Sequence, residues 1–532
     1  MWLFTQKMFT SFLSLTCGLL IRDCEVWFES IEISPMKFDI VIIGSGPAGQ
    51  KAAIAASKLG KRVAIVERNF RGMGGVCLHK GTIPSKTMRE AILYLTGYRH
   101  RDVYSKWYRR KRRITMQDLR LKLADVAEHE LEIIHDQLER NGVDIFIGEA
   151  RFVSPHEVAV DCETGRKILE GEYILVATGT KPSRPPHIPF DGETIFDSDE
   201  IIDLKEIPRS MIVVGGGVIG IEYAIMFATL GVEVTVLDGR NHLLEFCDRE
   251  IIDALIHHAR SLGMVFRMGE EVVGIERFSD SMAAVQTESG KRLVADSVLY
   301  TVGRVGDADE LNFQAAGLEP DERGRLWCNE EHQTWVPHIY GAGDIVGFPA
   351  LASVSMEQGR RVVCNAFNEP FEAFDLMPYG LFTIPEISMV GKTEQQLTEA
   401  HIPYEVGAAR YREIARGQIS GDRDGMLKIL FHRETLKILG IHAIGEAATE
   451  IVHIGQTVMS FGGTIEYFRN AVFNYPTMAE CYKVAAFDAL EKMSLDRLFE
   501  ASKTSKAAAP LNKELQETQD EASSVEVLTQ TK

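Results

Sequence analysis

Cys77 and Thr82 stand five residues apart in the loop GGVCLHKGTIPSK, residues 74–86. A dithiol relay needs two sulfurs that can reach each other, and this loop holds one. It cannot close an internal disulfide, so redox chemistry here must use a lone thiol or end on another acceptor. The eight cysteines run from Cys17 to Cys481 without a C-x-x-C pair or a Cys/His cluster at metal-ligand spacing, so no metal site is expected. Unpaired, dispersed cysteines suit a reducing, cytoplasmic setting.

Two carboxylates, Glu67 and Asp238, are the next residues whose placement suggests chemistry, because each closes a glycine-rich segment. The first segment opens with the apolar run FDIVII, which reads as a buried parallel strand. It leads into Gly44-Ser45-Gly46-Pro47-Ala48-Gly49, a helix over about residues 50–59, and a strand ending at Glu67. Gly44 makes a tight turn, Gly46 lets backbone approach a pyrophosphate, and Gly49 lets helix and strand pack closely. The helix N-terminus offers unpaired N–H groups to phosphate, and Glu67 can accept hydrogen bonds from a ribose. Residues 210–238 repeat this order, with Gly215, Gly217 and Gly220 as the three glycines and Asp238 as the terminal acid. Two dinucleotide folds imply two dinucleotides. Residues 173–182 and 297–304 read as strands where the chain can cross between domains. Residues 337–347 form another apolar strand ending in Gly343-Asp344, an acid placed to bind a ribityl hydroxyl or a phosphate-bound water; Gly-Asp is also a common turn.

A chain of 532 residues, 45% hydrophobic and 25% charged, suits three or four globular domains. The net charge of -18 argues against polynucleotide binding, which needs a basic face. The run from Arg99 to Arg113 carries eight Lys/Arg with interleaved aromatics and is read as a solvated face, the alternative being an anionic-surface patch. Residues 8–21 are apolar but too short to span a bilayer, so no membrane association is expected. Residues 1–35 are read as an extension that is not translated or is cleaved, the alternative being an ordered arm. Residues 501–532 have the composition of a disordered tail.

The order GSGPAG with Glu67, the GGVC-to-IPSK loop, ATG, GGGVIG with Glu222, GR and GAGD resembles the two-dinucleotide-binding flavoprotein disulfide reductases over residues 37–499. The resemblance implies an α/β protein with two Rossmann-like dinucleotide-binding domains, for FAD and NAD(P), plus a C-terminal α+β dimerisation domain. FAD would occupy residues 36–184 and 303–371, the nicotinamide nucleotide residues 185–302, and the homodimer interface residues 372–500. It places Lys86 near flavin N5, paired with Glu222, and gives Asp344 a flavin contact. Arg68, Gly75, Cys77, Thr178, Gly179 and Gly303 fall at its cofactor-lining motif positions.

Two departures narrow the activity. Thr82 replaces the family's flavin-proximal cysteine, and Tyr475 replaces the histidine of its His-Pro-Thr-x-x-Glu element, while Glu480 remains. A phenol with an ordinary pKa of about 10 is a poor proton carrier near neutrality. With both halves of the thiol chemistry gone, the chain is similar to the soluble pyridine-nucleotide transhydrogenases, which the resemblance implies pass hydride between NADPH and NAD through FAD. The alternatives are a single-thiol disulfide reductase or an NADH oxidase/diaphorase using Cys77, and a noncatalytic flavoprotein subunit. Asp238 favours the diol of NAD(H), and Arg240, two residues on, would offset repulsion of NADP(H) or else be a solvated loop arginine. Val218 leaves the nicotinamide pocket without an aromatic gate.

Overall fold

Strand Met36–Ile43 is buried on both faces from Ile40 onward, which only a sheet covered on both sides can satisfy. The computed structural model describes residues 34–98, 114–372 and 376–494. The basic run, the extension up to residue 33 and the tail lie outside the described residues. Met36–Ile43 pairs in parallel with Val63–Glu67 on one side and Gly165–Val176 on the other. Asp144–Ile147 and Ile339–Gly341 complete the parallel part. The first half of Gly165–Val176 also turns antiparallel onto Glu157–Cys162 and then Glu149–Ser154, forming a meander at one end.

The second sheet repeats this plan. Its parallel order is Val265–Met268, Glu233–Asp238, Ser210–Val214, Ser297–Tyr300, Ile195–Asp197, with a separate antiparallel meander over Val272–Ser279, Met282–Thr287 and Arg292–Ala295. The copies differ at the edge. The first takes its fifth strand from chain that returns after the second domain, and the second takes it from chain that precedes the glycine loop. The short antiparallel pair Thr180–Pro182 and Arg304–Gly306 is where the chain leaves the first domain and comes back. A third sheet of five antiparallel strands, between Tyr379–Leu381 and Tyr404–Arg410, is covered by helix Ala448–Ser460. The fold is therefore two Rossmann-like domains plus a C-terminal α+β domain.

Local signals set several helix boundaries. Helix Pro47–Lys58 starts three residues before the position read from sequence, because Pro47 lacks an N–H and occupies the first turn without loss. Helix Met116–Arg140 begins at a capping box between Thr115 and Asp118. Helix Thr82–Thr96 ends where Gly97 turns left-handed at φ 60°.

The domains share one core. Met88 and Ile92 of helix Thr82–Thr96, Ile221 and Ile225 of the second domain, and Leu381 and Ile384 of the third belong to a single buried apolar cluster. A buried charge cluster joins the second and third domains beside it. The Lys428 ammonium, wholly buried, lies 2.9 Å from buried Asp248 and 3.1 Å from Glu250, and also pairs with Glu394. Burial opposes that charge, but Glu394 and Asp248 outweigh it and hold the ammonium protonated above the usual lysine range. Replacing Lys428 with Met keeps the volume and leaves Asp248 without its counter-charge. Urea titration should show a loss of about 3 kcal/mol, the scale for a buried pair stripped of one partner; an unchanged midpoint would show the cluster contributes nothing to stability.

Candidate functional site

The two glycine loops match in geometry as well as in order. Gly44 and Gly215 both sit at φ 103°, a conformation L side chains rarely adopt. A Cβ on Gly49 would lie 1.9 Å from the Gly44 carbonyl oxygen, and one on Gly220 2.1 Å from that of Gly215. Helices Pro47–Lys58 and Val218–Thr229 thus cross directly over their own turns, and their first N–H groups face one shared cleft. That cleft measures about 2260 Å³. Ordinary single-ligand pockets reach about 1,000 Å³, so there is room for two extended ligands. Every residue singled out above as catalytic or cofactor-binding lines it except Gly49 and Gly220, which lie beneath it as packing positions.

Lys86 and Glu222 meet at the junction of all three domains. The Lys86 Nζ donates to Glu222 Oε2 at 2.8 Å, and the other Glu222 oxygen accepts from the backbone N–H of Phe382 at 2.8 Å. Glu222 is buried, whereas Lys86 is a quarter exposed and faces the cleft beside the Phe382 ring. The ammonium is therefore held in place from behind and open in front.

Cys77 lies on the short helix Gly75–His79, and its thiol hydrogen-bonds Thr82. Burial pushes the thiol above its ordinary pKa, and Thr82 and Lys86 offset this only in part. The group is a thiol near neutrality, and thiols are poor nucleophiles. His79 is half-buried on the cleft wall and its Nε2 meets the Met73 carbonyl at 2.8 Å. Asp344 is a half-buried carboxyl whose one hydrogen bond among the described residues is long, 3.5 Å from Thr180 Oγ1. Burial raises its pKa against the pull of Arg304, so it needs donors that a ligand hydroxyl would provide.

The terminal acids of the two folds differ. Glu67 accepts from Ser45 N at 3.2 Å, Ser45 Oγ at 2.5 Å and Arg68 N at 2.8 Å, while the Arg68 guanidinium turns to Asp307. Asp238 accepts from Gly216 N at 2.6 Å, and from Arg240 N, Nε and Nη2 at 2.8, 3.0 and 2.7 Å. Burial works against the Asp238 charge, but Arg240 and Gly216 outweigh it and hold the carboxyl below its usual range. Arg240 is thus neither a free loop arginine nor separate from Asp238.

Tyr475 and Glu480 are not brought to this cleft within one chain. Tyr475 is 72% exposed, and Glu480 Oε2 is buried without a hydrogen-bond partner among the described residues. Three contributors escaped the sequence reading. Ser45 ties the first glycine loop to Glu67 and accepts from Gly74 N at 3.2 Å, so its position inside the glycine motif was the available signal. Arg304 donates to Thr180 Oγ1 at 2.9 Å and to Asp199 at 2.9 Å. Phe382 reaches Glu222 through its backbone N–H, 160 residues away in the chain, and no residue type marks such a contact.

Paired dinucleotide folds around one cleft, with a cation held at their junction and a third domain behind it, define a two-nucleotide oxidoreductase architecture. The chain belongs to the pyridine nucleotide-disulphide oxidoreductase family, whose model matches residues 38–359 and whose dimerisation-domain model matches residues 377–486. A soluble pyridine nucleotide transhydrogenase from Mycobacterium bovis is 53% identical over 461 residues, 86% of this chain and 98% of its own length. One from Chromohalobacter salexigens is 46% identical over 465 residues, 86% of this chain and 99% of its own. Among solved structures, LpdA from Mycobacterium tuberculosis matches with a TM-score of 0.77 at 26% identity, covering 85% of this chain and 99% of its own. The HOCl-induced flavoprotein disulfide reductase RclA from Escherichia coli matches at 0.74 and 28%, covering 84% and 99%. No helix among the described residues is long and apolar enough to cross a membrane.

The raised Cys77 pKa makes its alkylation slow at neutral pH and faster as pH climbs past the ordinary thiol range. Site-resolved mass spectrometry of iodoacetamide labelling should place the inflection above that of a free cysteine; rapid labelling at pH 7 would show an activated thiolate instead.

Proposed function

We propose that this chain is an FAD-dependent NAD(P) transhydrogenase, which moves hydride reversibly between NADPH and NAD. The observation that carries the reading is the Cys77–Thr82 loop beside the intact Lys86–Glu222 pair, because the thiol branch is lost while the junction is complete. The names of the relatives at 53% and 46% identity agree with it.

The open cleft face of Gly46, the N-terminus of helix Pro47–Lys58, Glu67 and the donor-poor Asp344 suit FAD. When bound, FAD supplies a two-electron carrier that one nicotinamide nucleotide fills and a second empties. The protein's own residues supply placement and charge. Gly215, Gly217 and the N-terminus of helix Val218–Thr229 receive the nucleotide's pyrophosphate. Lys86 offers a fixed positive charge at the junction, and Glu222 keeps it from turning into solvent. Thr82 denies the thiol a partner, so reducing equivalents return to a nucleotide. Because one site serves both half-reactions, donor and acceptor alternate in it, and Val218 leaves their exchange ungated. Arg68, Gly75, Thr178, Gly179, Gly303 and Gly343 complete the cofactor walls.

In this reading residues 36–184 and 303–371 form the FAD domain, residues 185–302 the NAD(P) domain and residues 372–500 the dimerisation domain. Two copies pair through the last of these, where Phe461, Val472 and Tyr475 are strongly exposed. Six free cysteines among the described residues suit the cytoplasm.

Anaerobic stopped-flow mixing tests the activity. NADPH should remove the flavin's visible absorbance and NAD should restore it; no bleaching would support a noncatalytic flavoprotein. Cys77→Ser should retain the cycle, and its inactivation would favour the single-thiol alternative. Lys86→Ala should keep FAD bound and slow reduction on the order of a hundred- to a thousandfold, the scale of losing one preorganised electrostatic contact. An unchanged rate would remove Lys86 from the mechanism.

A further inference from the structure

Arg89 carries a guanidinium into the shared core, where the residue is 6% exposed, and it does not line the cleft. A charge this deep is stable only with partners for its donors. Its Nε donates to the Thr383 carbonyl oxygen at 2.9 Å, its Nη1 donates to Glu90 at 2.7 Å, and its Nη2 pairs with Glu386 at 3.3 Å. Two of these three partners belong to the third domain, in the segment that begins at Phe382.

Lys86 works on the same segment. Arg89 stands three residues after Lys86 on helix Thr82–Thr96, so the two cations are neighbours on one helical face. Lys86 bonds Glu222, whose other oxygen takes the Phe382 N–H, and it lies 5.0 Å from the centre of the Phe382 ring. Arg89 takes the carbonyl of the very next residue. Glu386 is buried as well, and its second oxygen accepts from Thr449 N at 3.3 Å and Thr449 Oγ1 at 3.1 Å. The ion pair therefore continues into helix Ala448–Ser460 instead of ending in solvent.

We propose that Arg89 is a positioning residue for Lys86: by clamping Thr383 and Glu386 to helix Thr82–Thr96, it keeps the Phe382 N–H on Glu222 and so fixes the Lys86 ammonium at the junction. This inference rests on the proposed role of Lys86 in hydride transfer. The segment needs such a clamp. Strand Tyr379–Leu381 ends one residue before Phe382, so its ladder bonds stop short, and Thr383 Oγ1 turns back on the segment to the Pro385 carbonyl. Leu381 and Ile384 pack into the shared apolar cluster, but apolar burial is non-directional and does not aim an N–H. A guanidinium fork does, because its donors are fixed in one plane. A buried ion pair is a poor device for stability alone, since apolar groups of similar volume often serve as well. Its direction is what an apolar side chain cannot replace.

The test uses the FAD-loaded protein and two readouts. In Arg89→Met, hydrogen exchange in the peptide carrying residues 380–386 should quicken about tenfold, because the Phe382 N–H is no longer held. Single-turnover flavin reduction by NADPH should slow about tenfold, less than in Lys86→Ala, since a misplaced ammonium still carries its charge. Made in the Lys86→Ala background, the same substitution should change the rate less than about twofold, as for residues that act through one contact. Arg89→Lys keeps a cation opposite Glu386 but not the planar fork on Thr383, and should slow reduction about threefold. If Arg89→Met does not retain FAD, this variant carries the same comparison. Unchanged exchange, an unchanged rate, or equal slowing with and without Lys86 would overturn the positioning role while leaving Lys86 its own. Lys86→Ala protein that reduces its flavin at the wild-type rate would overturn the reading of Lys86 and the positioning role with it.

Discussion

The Glu222 carboxylate is the point on which the three domains converge. Its two oxygens are held separately, one by the Lys86 ammonium of the first domain and one by the Phe382 N–H of the third. A buried carboxylate is stable only with such partners, and removing either leaves an uncompensated group in the shared core. The same bonds that reconcile Glu222 with burial also fix where Lys86 presents its charge. Domain arrangement and site electrostatics are thus one constraint, reinforced by the apolar cluster that runs through all three domains and by Lys428 among its carboxylates.

Repetition and divergence divide the work around this point. The glycine turns are nearly superimposable in conformation because the steric demand is the same wherever a helix N-terminus must cross its own turn closely. The acids that follow each accept a backbone N–H of their own glycine loop and differ in what meets their remaining acceptor sites. Glu67 keeps an acceptor site open, and Asp238 is saturated by Arg240. A duplicated scaffold therefore carries two differently occupied strand-end acids without changing its strand order.

Much of this was legible in the residues. The glycine triplets with flanking apolar runs marked both folds, since few other local structures require glycine at those three spacings. Cys77 without a neighbouring sulfur limited the chemistry by composition alone. Helix Pro47–Lys58 starts three residues before the position read from sequence, because at a first turn the missing N–H of Pro47 costs nothing. The pairing of Arg240 with Asp238 was open in sequence, because a separation of two permits contact or divergence depending on the turn between them. Neither the Phe382 donor nor the Asp199–Arg304–Thr180 network was visible, as each links segments brought together only by the domain crossing.

The Cys77–Thr82 spacing, the glycine positions and the strand-end acids are local features, set by residue type and short-range geometry, and the chain determined them by itself. Tertiary structure decided which groups face each other across the cleft, how deeply the Cys77 thiol is buried and whether the strand-end acids keep free acceptor sites. Burial and hydrogen-bond saturation depend on atoms from distant segments, and those are properties of the packed molecule.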